Sequence, residues 1–272
     1  MKLALNGATT MKADLETDIR AASLAGFDYL EIWAAKLRKF LQSNTVERLR
    51  ELLKEHNLKP YSINSIEHVT FRDEKRHAEL LAECEDLCRI AQAIDCPYIV
   101  VVPSPLPEGK TREDVIEESV HVLSELSSIA KRFSVSLAFE FLGQPRCSVQ
   151  TLDLAHEIVK EVDRDNVGLV IDSFHFYAGG SRLESIEALD PERLFIFHIN
   201  DAEDRPREEL EDRHRLLPGL GILPLREMVG ALRRIGYSRV ASVEIFRPEY
   251  WERDPLELAR EAHTAASKVV LN

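Results

Sequence analysis

Short runs of apolar residues alternate with longer amphipathic segments along the whole chain. The alternation predicts eight strands: Lys2–Asn6, Tyr29–Trp33, Pro60–Asn64, Tyr98–Val102, Ser136–Phe141, Gly168–Asp172, Leu194–Ile199 and Ala241–Phe246. Several runs are apolar at nearly every position, as in Tyr98-Ile99-Val100-Val101-Val102. Continuous apolar strands are typical of parallel sheets that are covered on both faces. We therefore expect a buried parallel sheet.

The segments between these runs predict helices. The clearest one has apolar residues at intervals of three and four, namely Leu225, Met228, Val229, Leu232 and Ile235. Thr111 and Asp114 have the spacing of a capping box at the start of another helix. Ser181–Leu189, after the sixth strand, is the shortest predicted helix. Each strand is thus followed by a helix or by room for one.

Eight strand–helix units in one chain predict the fold. A (β/α)₈ TIM barrel takes about 250 residues, and its parallel crossovers are right-handed. The chain has 272 residues, and no Ser/Gly-rich linker or change of composition divides it. We therefore expect residues 1–272 to form a single TIM-barrel domain.

The charge balance limits the kinds of partner that we expect the protein to bind. The chain carries 35 Lys and Arg against 47 Asp and Glu, which gives a formal net charge of −12. An acidic protein repels phosphate backbones and anionic membrane surfaces. No run reaches the ~18 apolar residues of a membrane span, and four cysteines are too few for a disulfide scaffold at this length. We expect a cytoplasmic protein with neither a nucleic-acid nor a membrane partner.

Four consecutive strands each end an apolar run with one ionisable residue. These residues are Glu140, Asp172, His198 and Glu244. TIM barrels carry their chemistry at the carboxyl ends of their strands, so the four side chains should converge. Buried carboxylates repel each other unless a cation pairs with them. Three oxygen ligands and one nitrogen suit one divalent ion, Mn²⁺, Zn²⁺, Co²⁺ or Mg²⁺. The alternative is a structural salt-bridge network with arginines.

The longest irregular stretch is Asn200–Pro224, which follows the seventh strand. It mixes charged residues with Pro218-Gly219-Leu220-Gly221. A long connection on the active face of a compact barrel is usually a lid or a binding loop. We expect that role here, and the alternative is a solvated surface excursion.

Several segments, spread over nearly the whole chain, carry a family resemblance. They are Met1-Lys2-Leu3 with Asn6 and Ala8-Thr9-Thr10, Arg72-Asp73-Glu74-Lys75, Leu123-Ser124-Glu125-Leu126-Ser127, Asp165-Asn166-Val167-Gly168-Leu169-Val170, Asp172-Ser173-Phe174-His175-Phe176 and Phe246-Arg247-Pro248-Glu249-Tyr250. On these segments the chain resembles the xylose-isomerase-like barrel superfamily of sugar isomerases and epimerases. Within it, the resemblance is greatest to bacterial isomerases of 2-keto-myo-inositol (inosose) in inositol catabolism. It implies a metal-dependent enzyme that moves a carbonyl between adjacent carbons of a cyclitol or sugar.

The resemblance also implies residue roles. The metal ligands of the family correspond to Glu140, Asp172, His198 and Glu244, the positions that the strand ends indicate. Glu140 and Glu244 would be the two acid/base groups of the proton transfer. His175 looks like a catalytic histidine that contacts the substrate, and the alternative is a buried histidine that is merely hydrogen-bonded.

Further substrate contacts are expected at the mouth of the barrel. In related ketose epimerases an arginine soon after the histidine ligand grips the substrate, and Arg205 is the candidate here. Trp33 and Asn64, at the ends of the second and third strands, are candidates for lining the pocket, or they serve only in packing. No glycine-rich phosphate site follows the eighth strand. An unphosphorylated polyol or sugar is therefore favoured as the small-molecule substrate.

Other activities share this metal site. A ketose 3-epimerase or an inosose dehydratase also begins by removing a proton next to a carbonyl. An apurinic-site endonuclease would need more histidines at strand ends and a basic DNA-binding face. A non-catalytic sugar-binding barrel would make the ligand set incidental. Related barrels form monomers, dimers and tetramers, so the resemblance also allows a homo-oligomer.

Overall fold

Eight parallel strands close into a barrel in the computed structural model, which describes residues 1–271. The barrel strands are β1 (Lys2–Asn6), β2 (Tyr29–Trp33), β3 (Lys59–Ile66), β4 (Tyr98–Val101), β5 (Ser136–Glu140), β6 (Val167–Asp172), β7 (Leu194–Ile199) and β10 (Val240–Val243). Each strand pairs with its neighbours in the sequence, and β10 pairs with β1 to close the ring. The predicted (β/α)₈ barrel is confirmed.

Helices connect the strands around the outside of the barrel. They are α1 (Leu15–Ala25), α2 (Ala34–Phe40), α3 (Val46–Glu55), α4 (Glu74–Ala93), α5 (Arg112–Arg132), α6 (Leu152–Val162), α7 (Ser173–Ala178), α8 (Leu183–Glu187), α9 (Leu225–Arg234), α10 (Pro248–Trp251) and α11 (Pro255–Val270). The predicted capping box of Thr111 and Asp114 begins α5. No helix within residues 1–271 is long and apolar enough to cross a membrane.

The strands divide their side chains between two apolar layers. Val100, Ala138, Val170 and Ile196 point into the barrel and belong to one buried cluster. Their neighbours along the strands, such as Phe139, pack against the helices in the other cluster. Each large apolar side chain buried in this way contributes about 1.5–3 kcal/mol of transfer free energy. The packed interior leaves the polar residues at the carboxyl ends of the strands.

Several predicted boundaries differ from the structure by one or more residues. The third strand is longer at both ends, the fourth and fifth strands each end one residue early, and the sixth strand begins one residue early. The eighth barrel strand ends at Val243 rather than at Phe246, because side chains replace the strand ladder after it. The Glu244 carbonyl accepts hydrogen bonds from Asn200 Nδ2 at 3.1 Å and Arg215 Nη1 at 3.4 Å. After β6, a helical turn begins at once at Ser173, since the Asp172 carboxylate caps it by accepting from the His175 N–H at 2.8 Å. The helix predicted at 181–189 is only α8.

The stretch predicted to be irregular contains a small antiparallel ribbon. Its strands are β8 (Asp201–Ala202) and β9 (Arg215–Leu216), and two short 3₁₀ turns lie between them. Asp201 holds the ribbon to the rest of the stretch, because its carboxylate accepts from the N–H groups of Gly219 and Leu223. The ribbon lies at the carboxyl end of β7 and brings Arg215 into the barrel mouth.

Candidate metal centre and active site

The four ionisable residues at the strand ends converge in the structure. Glu140 and Asp172 are the last residues of β5 and β6, His198 is near the end of β7, and Glu244 directly follows β10. One donor atom from each lies within 4.8 Å of the other three, and all four side chains are buried. The arrangement offers three carboxylate oxygens and one imidazole nitrogen to a common point.

The imidazole of His198 lies between carboxylates. Its Nδ1 is 2.9 Å from Glu140 Oε1 and 3.4 Å from Glu244 Oε2. Its Nε2 is 2.9 Å from Oε1 of Glu31, a residue in the middle of β2. Burial opposes protonation of His198, but the charges of Glu244, Glu31 and Glu140 outweigh burial and raise its pKa well above the usual value. The pocket therefore strongly favours positive charge.

Arg215 is the second cation at this point and is 1% exposed. Its Nη1 donates to Asp172 Oδ2 at 2.8 Å and to Glu244 Oε2 at 3.1 Å. Its Nη2 donates to Asp212 Oδ1 at 2.8 Å and lies 3.0 Å from Nε2 of His175. A guanidinium can only donate hydrogen bonds. His175 Nε2 therefore accepts, and the proton of the neutral ring is on Nδ1.

The two carboxylates beside Arg215 differ in their proton affinity. Burial raises the pKa of Glu244 to about 8, against the opposing charges of His198 and Arg215. Burial also disfavours ionisation of Asp172, but there the Arg215 charge outweighs it and lowers the pKa. Asp172 further accepts hydrogen bonds from Asn200 Nδ2 and the His175 backbone N–H, both at 2.8 Å. Asp172 thus stays ionised, whereas Glu244 can hold a proton near neutral pH.

A cavity of about 280 Å³ opens onto this cluster. Glu140, His175, Arg215 and Glu244 lie along its wall. Trp33 and Phe246 line it as well, and their rings meet edge to face at 5.5 Å. The cavity therefore combines an aromatic surface with converging polar groups, which is the usual character of a small-molecule site.

Most of the predicted contact residues reach this cavity. His175, Trp33 and Asn64 all line it. Asn64 Nδ2 donates to Glu244 Oε1 at 2.8 Å and to Glu31 Oε1 at 3.0 Å. His175 Nδ1 is buried and makes no hydrogen bond within the described residues 1–271. That protonated nitrogen is therefore a free donor beside the cavity.

The structure does not bring Arg205 to the cavity. Its Nε donates to Glu203 Oε2 at 2.7 Å, and its side chain is 43% exposed. Glu203 also accepts a hydrogen bond from Arg247 Nη1 at 2.7 Å, so Arg205 belongs to a separate group of ion pairs. Arg215 enters the cluster instead, because it is the first residue of β9. Arg205 does not line the cavity, and its contact with a substrate stays a prediction.

Two residues of the cluster were missed in the sequence. Glu31 lies between the buried Leu30 and Ile32, so it carries the same signal as the strand-end residues, a charge embedded in an apolar strand. Arg215 carries no comparable signal, because it is one of many charged residues in its stretch. Only the pairing of β8 with β9 places it inside.

The wall beside His175 depends on two glycines. Gly143, in the loop after β5, approaches the chain at the end of α7 so closely that a Cβ atom would lie 2.3 Å from the His175 carbonyl oxygen. A Cβ on Gly179 would lie 2.0 Å from the Gln150 carbonyl oxygen. Only glycine fits such an approach. These contacts fix the position of α7, and with it His175, against the loop after β5.

The model of the family described as "Xylose isomerase-like TIM barrel" matches residues 19–267. The chain belongs to this family. An inosose isomerase of Bacillus velezensis is 39% identical over 99% of this chain and 97% of its own length. An inosose isomerase of Bacillus subtilis is 40% identical over 99% of this chain and 98% of its own. The alignments extend over essentially the whole barrel.

Solved structures of similar proteins agree with the fold. The crystal structure of an IOLI protein with a bound zinc atom superposes with a TM-score of 0.96, at 40% identity, over 99% of this chain and 98% of the other. A D-psicose 3-epimerase from Clostridium cellulolyticum H10 gives a TM-score of 0.79 at 23% identity, which is a likeness of fold alone. A buried Glu/Asp/His cluster is thus present in a chain similar to a zinc-binding protein.

Proposed function

We propose that this enzyme is an inosose isomerase, which moves the carbonyl group of 2-keto-myo-inositol to an adjacent carbon. The observation that carries the proposal is the full-length similarity, at 38–40% identity, to four inosose isomerases. The buried cluster and the cavity above it support the same reaction class.

Glu140, Asp172, His198 and Glu244 would hold one divalent metal ion. The donor set fits such an ion, since three carboxylates and one imidazole suit Zn²⁺, Mn²⁺, Co²⁺ or Mg²⁺. The zinc atom of the similar IOLI protein favours zinc within this group. When bound, the ion supplies Lewis-acid stabilisation for negative charge that develops on substrate oxygens.

Glu140 and Glu244 both border the cavity and supply the acid/base pair. One carboxylate removes the proton from the hydroxyl-bearing carbon next to the carbonyl, and the C–H electron pair forms the double bond of an enediol. The other returns a proton to the former carbonyl carbon as the new carbonyl forms. The reaction also needs one proton transfer, between the former carbonyl oxygen and the neighbouring hydroxyl oxygen of the substrate.

His175 is placed for that transfer between oxygens. Arg215 donates to its Nε2, so its Nδ1 proton points to no protein acceptor within residues 1–271. Burial lowers the pKa of His175, which keeps the ring neutral at physiological pH. We infer that Nδ1–H donates to a substrate oxygen, and Arg215 holds the ring in the required tautomer.

The cavity favours an unphosphorylated ring. Its volume of about 280 Å³ is just below the roughly 300–1,000 Å³ of most small-molecule sites. Trp33 and Phe246 offer aromatic faces to the C–H groups of a cyclitol, and Glu67 and Asp212 add carboxylates to the lining. Those carboxylates would repel a phosphate group. For the same reason, and because of the net charge of −12, we infer that nucleic acid is not a partner.

Parallel incubations test the proposed activity. Metal-loaded protein is mixed separately with 2-keto-myo-inositol, D-fructose and D-psicose, and the products are identified by ¹³C NMR. We expect conversion of the inosose to an isomer whose carbonyl lies on a neighbouring carbon. Turnover of the two ketoses alone would replace the proposal with a 3-epimerase, since a D-psicose 3-epimerase of Enterocloster bolteae is 26% identical over 86% of this chain. Loss of water from the inosose would indicate a dehydratase.

A further inference from the structure

Glu31 is a fully buried carboxylate that the proposed reaction does not use. It lies in the middle of β2, with 0% of its surface exposed. It is not one of the four residues whose donor atoms converge on the candidate metal position. A buried carboxylate is costly unless polar groups satisfy it. Its contacts therefore indicate what it does.

Within the described chain, all the hydrogen bonds of the Glu31 carboxylate reach one of its two oxygens. Oε1 is 2.9 Å from His198 Nε2 and 3.0 Å from the Nδ2 atoms of Asn6 and Asn64. The same two amides also donate to Glu244 Oε1, at 3.1 Å and 2.8 Å. Glu31 is thus tied both to the histidine of the cluster and, through two asparagines, to one of its carboxylates.

These contacts define the orientation of the His198 ring. An ionised carboxylate accepts hydrogen bonds and does not donate them, so Nε2 must carry a proton where it meets Glu31. When an ion binds, the protonated ring gives up its other proton, and the lone pair is then on Nδ1. Nδ1 is the atom that faces Glu140 and Glu244. Glu31 therefore favours the tautomer whose lone pair points towards the other proposed ligands.

We propose that Glu31 is a positioning residue for the metal site: it holds His198 in the tautomer that binds the ion through Nδ1. The proposal rests on the metal-ligand role of His198 within the proposed function. Carboxylates that accept from the second nitrogen of a ligand histidine fix its orientation and raise its basicity, and their loss typically costs about 10–100-fold in metal affinity. Glu31 would act in this way while it touches neither substrate nor metal.

The variant Glu31→Gln tests the proposal by metal affinity alone. The substitution keeps the side-chain shape but removes the charge, and the amide can turn its NH₂ group towards His198. We expect Zn²⁺ affinity, measured by competition with a chromophoric chelator, to fall by about 10–100-fold. Unchanged affinity would overturn the proposal, as would a wild-type protein that binds no divalent ion.

Asp18→Asn is the matched control. Asp18 is also a fully buried carboxylate, but it pairs with Lys36 and makes no contact with the four proposed ligands. The control should bind Zn²⁺ as tightly as the wild type. An equal loss in both variants would mean that any buried carboxylate matters to the fold, and it would contradict a specific role of Glu31.

If Glu31→Gln does not fold, a second variant and an NMR spectrum of the wild type still test the proposal. Glu31→Asp retains the charge but withdraws it by one methylene, so a smaller loss of affinity is expected. In the zinc-loaded wild type, ¹⁵N-resolved histidine NMR should show His198 with metal on Nδ1 and a proton on Nε2. Metal on Nε2 would overturn the proposal. These readouts need no substrate, so they stand even if the enzyme acts on another sugar.

Discussion

The two ends of the barrel differ in how they combine space with charge. At the amino end, a cavity of about 830 Å³ is lined by Tyr29, Tyr61 and Tyr98, with basic residues such as Lys54 and Lys59 beside them. At the carboxyl end, a cavity of about 280 Å³ borders the buried cluster of carboxylates, His198 and Arg215. The larger space has no converging buried ions. Cavity volume alone would have placed the candidate site at the amino end.

The ion pairs of the two ends show the same contrast. At the amino end, Lys2 and Asp28 pair at 2.8 Å with side chains that are 66% and 36% exposed. At the carboxyl end, Arg215 and Asp172 pair at the same distance with 1% and 0% exposed. Water screens an exposed ion pair, so the pair changes the free energy of unfolding little. A buried cluster of ions is costly, so it marks the region where function justifies the cost.

The largest expected effect is the loss of turnover in Glu140→Gln. The amide keeps the shape of the side chain but cannot exchange a proton with carbon, so kcat should fall by about 10²–10⁴-fold. The opposite end provides the control, since Tyr29→Phe changes only a hydroxyl that lines the larger cavity. That variant should retain wild-type turnover. A fully active Glu140→Gln, or an inactive Tyr29→Phe, would contradict the assignment of the activity to the carboxyl end.

His198→Ala should remove metal from the carboxyl end. The substitution deletes the nitrogen donor of the cluster, so the loss in affinity should exceed the about 10–100-fold typical of residues that only support a ligand. Elemental analysis after dialysis against a limiting zinc buffer measures this. The amino-end variant Tyr29→Phe should retain its zinc. Wild-type metal content in His198→Ala would exclude this residue from the ligand set.

Substitutions of the buried Lys36 and the exposed Lys2 compare how ion pairs at the two ends contribute to the free energy of unfolding. Lys36 is buried near the carboxyl end and donates to Asp18 at 2.7 Å and to the carbonyls of Gly7 and Thr10. At about pH 8, where Asp18 is ionised, Lys36→Met would leave the Asp18 charge buried without its partner and should lower the free energy of unfolding by about 3–5 kcal/mol. Lys2→Met, at the exposed pair, should leave the urea midpoint nearly unchanged. Equal midpoints for both variants would contradict the comparison.

The smallest effect is the pH dependence that Asp18 contributes. Burial raises the pKa of Asp18 to about 7, from 3.8 in the unfolded chain, despite the charge of Lys36. Between these values the folded state keeps a proton that the unfolded state has lost, so stability falls as pH rises, by at most about 1.4 kcal/mol per pH unit. Asp18→Asn should lack this contribution. Parallel urea series at pH 5 and pH 6.5 measure the difference, and identical slopes for both proteins would refute it.

The barrel and the residues Glu140, Asp172, His198 and Glu244 were predictable because buried strands have continuous apolar sequences. An apolar run that ends on Asp172 or His198 indicates both the position of the strand and the buried ionisable side chain that needs an interaction partner. Glu31 was readable by the same logic, but it lies inside β2 rather than at its end. Arg215 was not readable, since β8–β9 pairing, and no local pattern, buries it. Local charge patterns likewise could not reveal that Glu203 holds Arg205 outside.

Deuterium exchange tests the central claim most directly. 2-Keto-myo-inositol in D₂O is followed by proton NMR with zinc-loaded protein and with protein stripped by EDTA. The account predicts new inosose resonances and deuterium at carbons next to the carbonyl, with the loaded sample alone. Absence of exchange in both samples would contradict inosose as the substrate. Equal exchange in both samples would contradict the metal-assisted chemistry assigned to the carboxyl end of the barrel.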